Sequence, residues 1–222
     1  MIFMHETVEK LLQIEKLVKS KKEELKLNVQ PTIIAVTKTF KIDKILPLID
    51  FGHKHFGENK VQEALEKWTE IKSKKREIKL HLVGKLQTNK VKYAIKIFDF
   101  IHSVDNKKLA KKIADEEVKQ NKKVKLFIQV NIGDESQKIG IKKNELKDLF
   151  LYCQSLSLDI VGLMCLPPIK IDPNPFFQEL RELNNDLQLK ELSMGMSSDY
   201  VEAIKNSSTF LRIGSSIFGK RS

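Results

Sequence analysis

Three short segments carry the residues through which this chain could do chemistry. Lys38 ends the run Ile33–Thr37, five apolar or small residues. A lysine held among apolar neighbours loses solvation of its charged form, so its pKa falls and a neutral amine becomes available. Schiff-base formation with an aldehyde needs such an amine. The same position also suits a strand-end lysine that merely reaches water. Gly195–Asp199 and Gly214–Ser216 each set small residues and free amides before a helical stretch, which suits a phosphate dianion. Each alone also reads as an ordinary helix start, capped by Ser197 or Ser215. Arg212 stands two residues before Gly214, so on a strand the two share a face. A buried arginine must find an acceptor, and a heterocyclic nitrogen would serve.

Something must bring these segments together, and the hydrophobic pattern says what. Apolar β-type runs occur at Thr32–Thr37, Lys54–Gly57, Lys79–Gly84, Phe98–Val104, Val124–Asn131, Asp159–Met164, Glu191–Met194 and Thr209–Gly214. Helix-like stretches alternate with them: Ile42–Asp50, Asn59–Arg76, Thr88–Ile97, Asn106–Gln120, Lys143–Ser155, Pro175–Leu187 and Ser198–Lys205. An amphipathic helix precedes them over Glu6–Leu27, with Val8, Leu11, Leu12, Leu17 and Val18 on its apolar face. Strict alternation predicts parallel pairing with right-handed crossovers, which an open sheet or a closed barrel satisfies. The count of eight favours the barrel. The expectation is α/β: a single (β/α)8 TIM-type barrel over residues 1–222, with an extra N-terminal helix (residues 1–30) packed on it. Lys38 then lies at the C-terminal end of strand one, and the two small-residue segments follow strands seven and eight, where such barrels often hold phosphate.

Composition narrows the classes. The chain has 222 residues, 41% hydrophobic and 31% charged, with nine Gly and six Pro, which argues against global disorder or a collagen-like chain. No apolar run approaches the roughly 18 residues a membrane span needs. The opening Met1–His5 runs straight into Glu6–Lys10, so no secretory leader is expected. With only Cys153 and Cys165, neither a disulfide framework nor a thiolate metal site is expected, and a cytoplasmic setting is the natural reading. The net charge of +11 raises a polyanion partner. Only four of the 40 basic residues are arginines, however, and the lysines are scattered among acids. A solvated lysine-rich surface without specific nucleic-acid recognition accounts for that pattern.

An aldehyde-binding lysine, a phosphate cup and an inward arginine together describe a site for pyridoxal 5′-phosphate (PLP). The sequence also resembles the pyridoxal-phosphate homeostasis (PLP-binding) protein family, whose barrel is similar to the N-terminal domain of alanine racemase. The resemblance rests on the blocks Ile34–Lys38, Phe56–Glu63, His81–Lys90, Val130–Gly140, Gly162–Pro168, Leu192–Asp199 and Arg212–Gly219. It implies that Lys38 carries PLP as an aldimine and that Ser197, Ser198, Gly214 and Ser215 form the phosphate cup. It also implies that Arg212 faces the pyridine nitrogen and that Asn59 lies near the ring. Met196 is counted with these cofactor-binding residues, ordinary packing being the alternative for both Met194 and Met196. Two departures are visible: Lys60 stands where many members have an aromatic residue, and Ile169–Pro175 is short.

Other candidates carry less. His53, His55, His81 and His102 lie in or beside strands without a metal-ligand spacing, and read as core or strand-end histidines. Cys165 reads as a buried apolar residue, and Asp134-Glu135 as a solvated loop rather than a cation site. No metal and no catalytic residue is assigned.

Three function classes follow: a PLP carrier without turnover, an amino-acid racemase or related PLP enzyme, and a nucleic-acid-binding barrel. Racemisation needs a second acid/base opposite the lysine. Alanine racemase takes a tyrosine for this from a second domain of its partner subunit, and the sequence ends at Ser222 soon after strand eight. The expectation is therefore a monomeric homeostasis or carrier protein, with apo PLP enzymes as candidate recipients.

Overall fold

The computed structural model describes residues 4–28, 30–135 and 139–219. Met1–Phe3, part of the opening read above, and Ser136–Lys138 of the Val130–Gly140 block lie outside the described residues.

Helix α1 (Glu6–Glu24) buries Val8, Leu11, Ile14 and Val18. That stripe is narrower than the expected face: Leu17 is exposed and Leu12 only partly buried. The helix stops short of Leu27, at a turn in which Lys26 takes φ +51°.

Eight parallel strands then close a barrel, each neighbour in space being its neighbour in sequence. They are β1 (Thr32–Val36), β2 (His55–Glu58), β3 (Lys79–Leu82), β4 (Phe100–Val104), β5 (Lys125–Val130), β6 (Ile160–Cys165), β7 (Glu191–Met196) and β8 (Phe210–Ile213). Closure pairs β1 with β8, Ile34 opposite Arg212. The crossovers carry α2 (Leu46–Asp50), α3 (Val61–Lys74), α4 (Val91–Ile97), α5 (Lys107–Gln120), α6 (Leu146–Ser155), α7 (Asn174–Asp186) and α8 (Tyr200–Lys205), and α9 (Ser215–Phe218) follows β8. Helix α1 packs on α2, α8 and α9, beside the closure. Caps mark the ends: the Asn106 side chain accepts from Leu109 N, and Asn121 closes α5 at φ +46°.

Alternation along the strands splits the buried residues into two sets. Ile33 and Ala35 face outward to the helices, whereas Ile34 and Val36 face the barrel axis with Phe100, Phe127, Met164 and Phe210. The outer layer holds the larger core, including Trp68 and Phe56. Each fully buried large side chain contributes roughly 1.5–3 kcal/mol. Gly57 leaves room on the axis for Ile34: a Cβ there would come within 2.9 Å of Ile34 Cγ2. Strand limits differ by one or two residues from expectation. β4 begins at Phe100 because Phe98 ends α4, and β7 runs on to Met196.

Candidate functional site

Three side-chain links brace the residues either side of Lys38. The Thr37 hydroxyl donates to Glu58 Oε1 at 2.6 Å, and Lys67 Nζ donates to the Thr37 carbonyl at 2.9 Å. Glu58 is fully buried at the end of β2, and its Oε1 also accepts from Lys67 Nζ and Trp68 Nε1, each at 2.9 Å. Beyond the lysine, Thr39 N donates to Glu63 Oε1 at 2.6 Å while Thr39 itself takes φ +68°. Lys38 thus stands on a turn fixed by two carboxylates of the Phe56–Glu63 block. Positions 34, 36 and 38 share one parity, so the lysine continues the axial face of β1 into the barrel mouth.

At that mouth a cleft of about 640 Å³ is lined by Val36, Lys38, Phe40, Val83, Leu166, Met196, Ser197, Ser198, Arg212, Gly214, Ser215, Ser216 and Gly219. The structure therefore gathers seven of the eight sequence-assigned residues around one space. Asn59 is not among the lining residues; its Oδ1 is buried with no hydrogen-bond partner among the described residues. Met194 is buried in the outer core, facing away from the cleft that Met196 lines.

The two small-residue segments are joined. Ser197 Oγ accepts from Gly214 N at 3.3 Å and from Ser216 N at 3.2 Å. Ser197 thus caps the turn after β8 rather than its own helix, and Ser215 makes no side-chain cap on α9. Asp199 Oδ1 accepts from Met196 N and closes the turn after β7. Gly195 at φ +89° lets that turn pass, since a Cβ would fall 2.5 Å from Ala203 Cβ.

Arg212 is buried with both hydrogen-bond partners neutral: Nη1 donates to Ser193 Oγ at 2.7 Å and Nη2 to the Cys165 carbonyl at 2.8 Å. Burial pushes its pKa below the usual guanidinium range. A guanidinium has five N–H groups, so donors are left for a ligand in the cleft. Behind it runs a column of rings inside the barrel. His55 Nδ1 meets His81 Nε2 at 3.0 Å, His81 Nδ1 meets His102 Nε2 at 3.0 Å, and His102 Nδ1 meets Ser193 Oγ at 2.8 Å. His81 stacks on Phe100 and His102 on Phe127, with ring centroids 4.2 and 4.3 Å apart. Burial holds His81 and His102 well below the ordinary imidazole range, and lowers His53 to about 4.

The remaining candidates are placed simply. Cys165 is buried and serves through its carbonyl, and Asp134 pairs with Lys143 at 3.0 Å. Sequence reasoning passed over Glu58 and Ser193. Glu58 was visible as an acid directly after the expected strand Lys54–Gly57, which the structure extends to include it, and Ser193 as a polar residue on the inward parity of β7.

A closed parallel barrel with a lysine, an arginine and paired serine turns at its mouth defines the class of barrel found in alanine racemase. The family model described as "Alanine racemase, N-terminal domain" matches residues 9–222. The chain belongs to the pyridoxal phosphate homeostasis protein family within that class. It is 39% identical over 199 residues to the protein of that name from Aquifex aeolicus, covering 85% of this chain and 86% of that one. The protein of that name from Bos taurus is 38% identical over 213 residues, covering 87% of this chain and 78% of that one. The solved structure of PipY from Synechococcus elongatus with PLP bound superposes with a TM-score of 0.79 at 31% identity, covering 91% of this chain and all of that one.

Proposed function

We propose that this protein binds PLP in the mouth cleft and serves as a homeostasis or carrier protein without a turnover reaction. In this reading Lys38 holds the aldehyde carbon as a Schiff base, and Arg212 donates to the ring nitrogen. Ser197, Ser198 and Ser215 hold the phosphate through hydroxyls and backbone amides, and Gly214 joins the cup once its N–H turns from Ser197 Oγ to the phosphate. Met196 lies beside the ring, and Asn59 acts from just outside the cleft. The observation that carries it is the shared wall of Lys38 and Arg212: a primary amine, a buried guanidinium with only neutral partners, and two serine turns border one space. Those groups fit the aldehyde, ring nitrogen and phosphate of PLP. The names of the relatives and the PLP-bound PipY structure support the same ligand.

Carrier is favoured over racemase because the relatives carry the name of homeostasis proteins, and none of the three tyrosines lines the cleft. Tyr200, on α8, has its pKa raised by burial, the wrong direction for a proton acceptor. The reading includes one functional domain, a monomer, a cytoplasmic location, and cofactor exchange with solvent or with apo PLP enzymes. No helix among the described residues is long and apolar enough to cross a membrane.

The test incubates the PLP-loaded protein with each enantiomer of the common amino acids and follows chirality and cofactor release. Release, or stoichiometric reaction without turnover, supports the carrier. Multiple-turnover racemisation, decarboxylation or transamination that Lys38→Ala abolishes would replace it with an enzyme.

A further inference from the structure

The ring column behind Arg212 has a direction that can be derived. Arginine only donates, so Ser193 Oγ is the acceptor in its contact with Nη1. The Ser193 hydroxyl must itself donate, and its other partner among the described residues is His102 Nδ1. A buried hydroxyl left without an acceptor would cost about 1–3 kcal/mol. His102 Nδ1 is therefore unprotonated. Fully buried beside the Arg212 charge, the ring is neutral, so its proton is on Nε2. That N–H donates to His81 Nδ1, which places the His81 proton on Nε2 in turn, donating to His55 Nδ1. The chain ends at half-buried His55, in the cleft at the N-terminal ends of the strands.

We propose that Ser193, His102, His81 and His55 are positioning residues: one polarised hydrogen-bond column that presents the Ser193 oxygen to Arg212 as an acceptor and so aims the guanidinium into the mouth cleft. Donating toward His102 makes the serine oxygen a stronger acceptor, and successive aligned bonds reinforce one another. The column spans strands β2, β3, β4 and β7, which no single local element could align. The charged groups that act on it come from several strands, their flanking residues and helix α3. Lys54, Lys79 and Asp99 act on His55, Lys72 on His81 from outside the barrel, and Arg212 on His102. The tautomer assignment stands whatever fills the cleft; its consequence for ligand affinity rests on the PLP reading.

The first measurement uses the unmodified apo protein with ¹⁵N-labelled histidine, reading ring tautomers by two-bond couplings at neutral pH. The expected result is the Nε2–H tautomer at His55, His81 and His102 together. An Nδ1–H tautomer, a mixture, or a cation at His81 or His102 would overturn the column. The second compares Ser193→Ala with Ser193→Thr, which keeps the hydroxyl. Ser193→Ala should mix the tautomers as far away as His81 and weaken PLP binding about tenfold, with Ser193→Thr restoring both. Unchanged tautomers and affinity in folded Ser193→Ala would refute the positioning role. Failure of the unmodified protein to bind PLP, with the three Nε2–H signals intact, would instead refute the ligand reading alone.

Discussion

The Thr37 hydroxyl donates to Glu58 Oε1 at 2.6 Å, tying the residue before Lys38 to a carboxylate at the end of the neighbouring strand. The carboxylate is fully buried, and Lys67 and Trp68 converge on the same oxygen. One acid on β2 thereby fixes where β1 delivers its lysine.

Removing that acid should be costly. Glu58→Ala leaves Trp68 Nε1 without its acceptor and takes the short bond from the Thr37 hydroxyl. It also removes one of two carboxylates from Lys67, which keeps Glu63 Oε1 and the Thr37 carbonyl. The loss should be about 2–3 kcal/mol. Thr37→Val, which removes one donor, should cost about 1 kcal/mol. Urea unfolding of both variants checks the order; equal losses would show that the cluster does not centre on Glu58.

Ser197 links the turns after β7 and β8. Ser197→Ala should lower stability by about 1 kcal/mol, the usual worth of a capping side chain. It should weaken PLP binding by more than it weakens binding of pyridoxal, which has no phosphate. Equal weakening of both would place Ser197 away from the phosphate.

Acid sensitivity follows from the buried rings. The folded pKa values of His81 and His102 lie well below the ordinary value, and that of His53 is about 4, so unfolding takes up protons below the unfolded value of about 6.5. Their contribution to stability is present above that pH and is lost as pH falls. The slope reaches about 1.4 kcal/mol per pH unit for each of His81 and His102. Denaturant titrations between pH 7.5 and 5 should show stability dropping steeply over the lower half of the range. A flat profile would mean that these histidines are not buried neutral.

The surplus of lysine should be inert toward nucleic acid. Many lysines pair along their own helices, as in Lys10–Glu6, Lys74–Glu70 and Lys111–Asp115. Binding to duplex or single strands should be weak, salt-dependent and without sequence preference. Tight binding at physiological salt, or competition with PLP, would revive a nucleic-acid role.

Much of this was legible in the chain because strands buried on both faces leave continuous apolar runs, as Val124–Asn131 does. Lys38, Arg212 and the serine turns stood out because charged and small residues interrupt such runs at one end of the barrel. What stayed hidden are contacts between distant segments. Ser197 looked like a cap for its own helix, yet it caps a turn 17 and 19 residues away. His102 and Ser193 meet across 91 residues, and only a closed barrel brings β4 and β7 to a common axis. Helix α1 was misjudged for a milder reason: whether Leu17 or Ile14 is buried depends on the angle at which the helix lies across α8 and α9, which periodicity does not fix.

In the proposed site Lys38 holds the cofactor as a Schiff base. Purified protein mixed with PLP should gain an absorbance band at the edge of the visible, and borohydride should fix the label onto a single peptide containing Lys38. Lys38→Ala should lose both the band and the fixed label while remaining folded. A labelled Lys38→Ala protein, or a label on another lysine of the unmodified chain, would contradict the assignment.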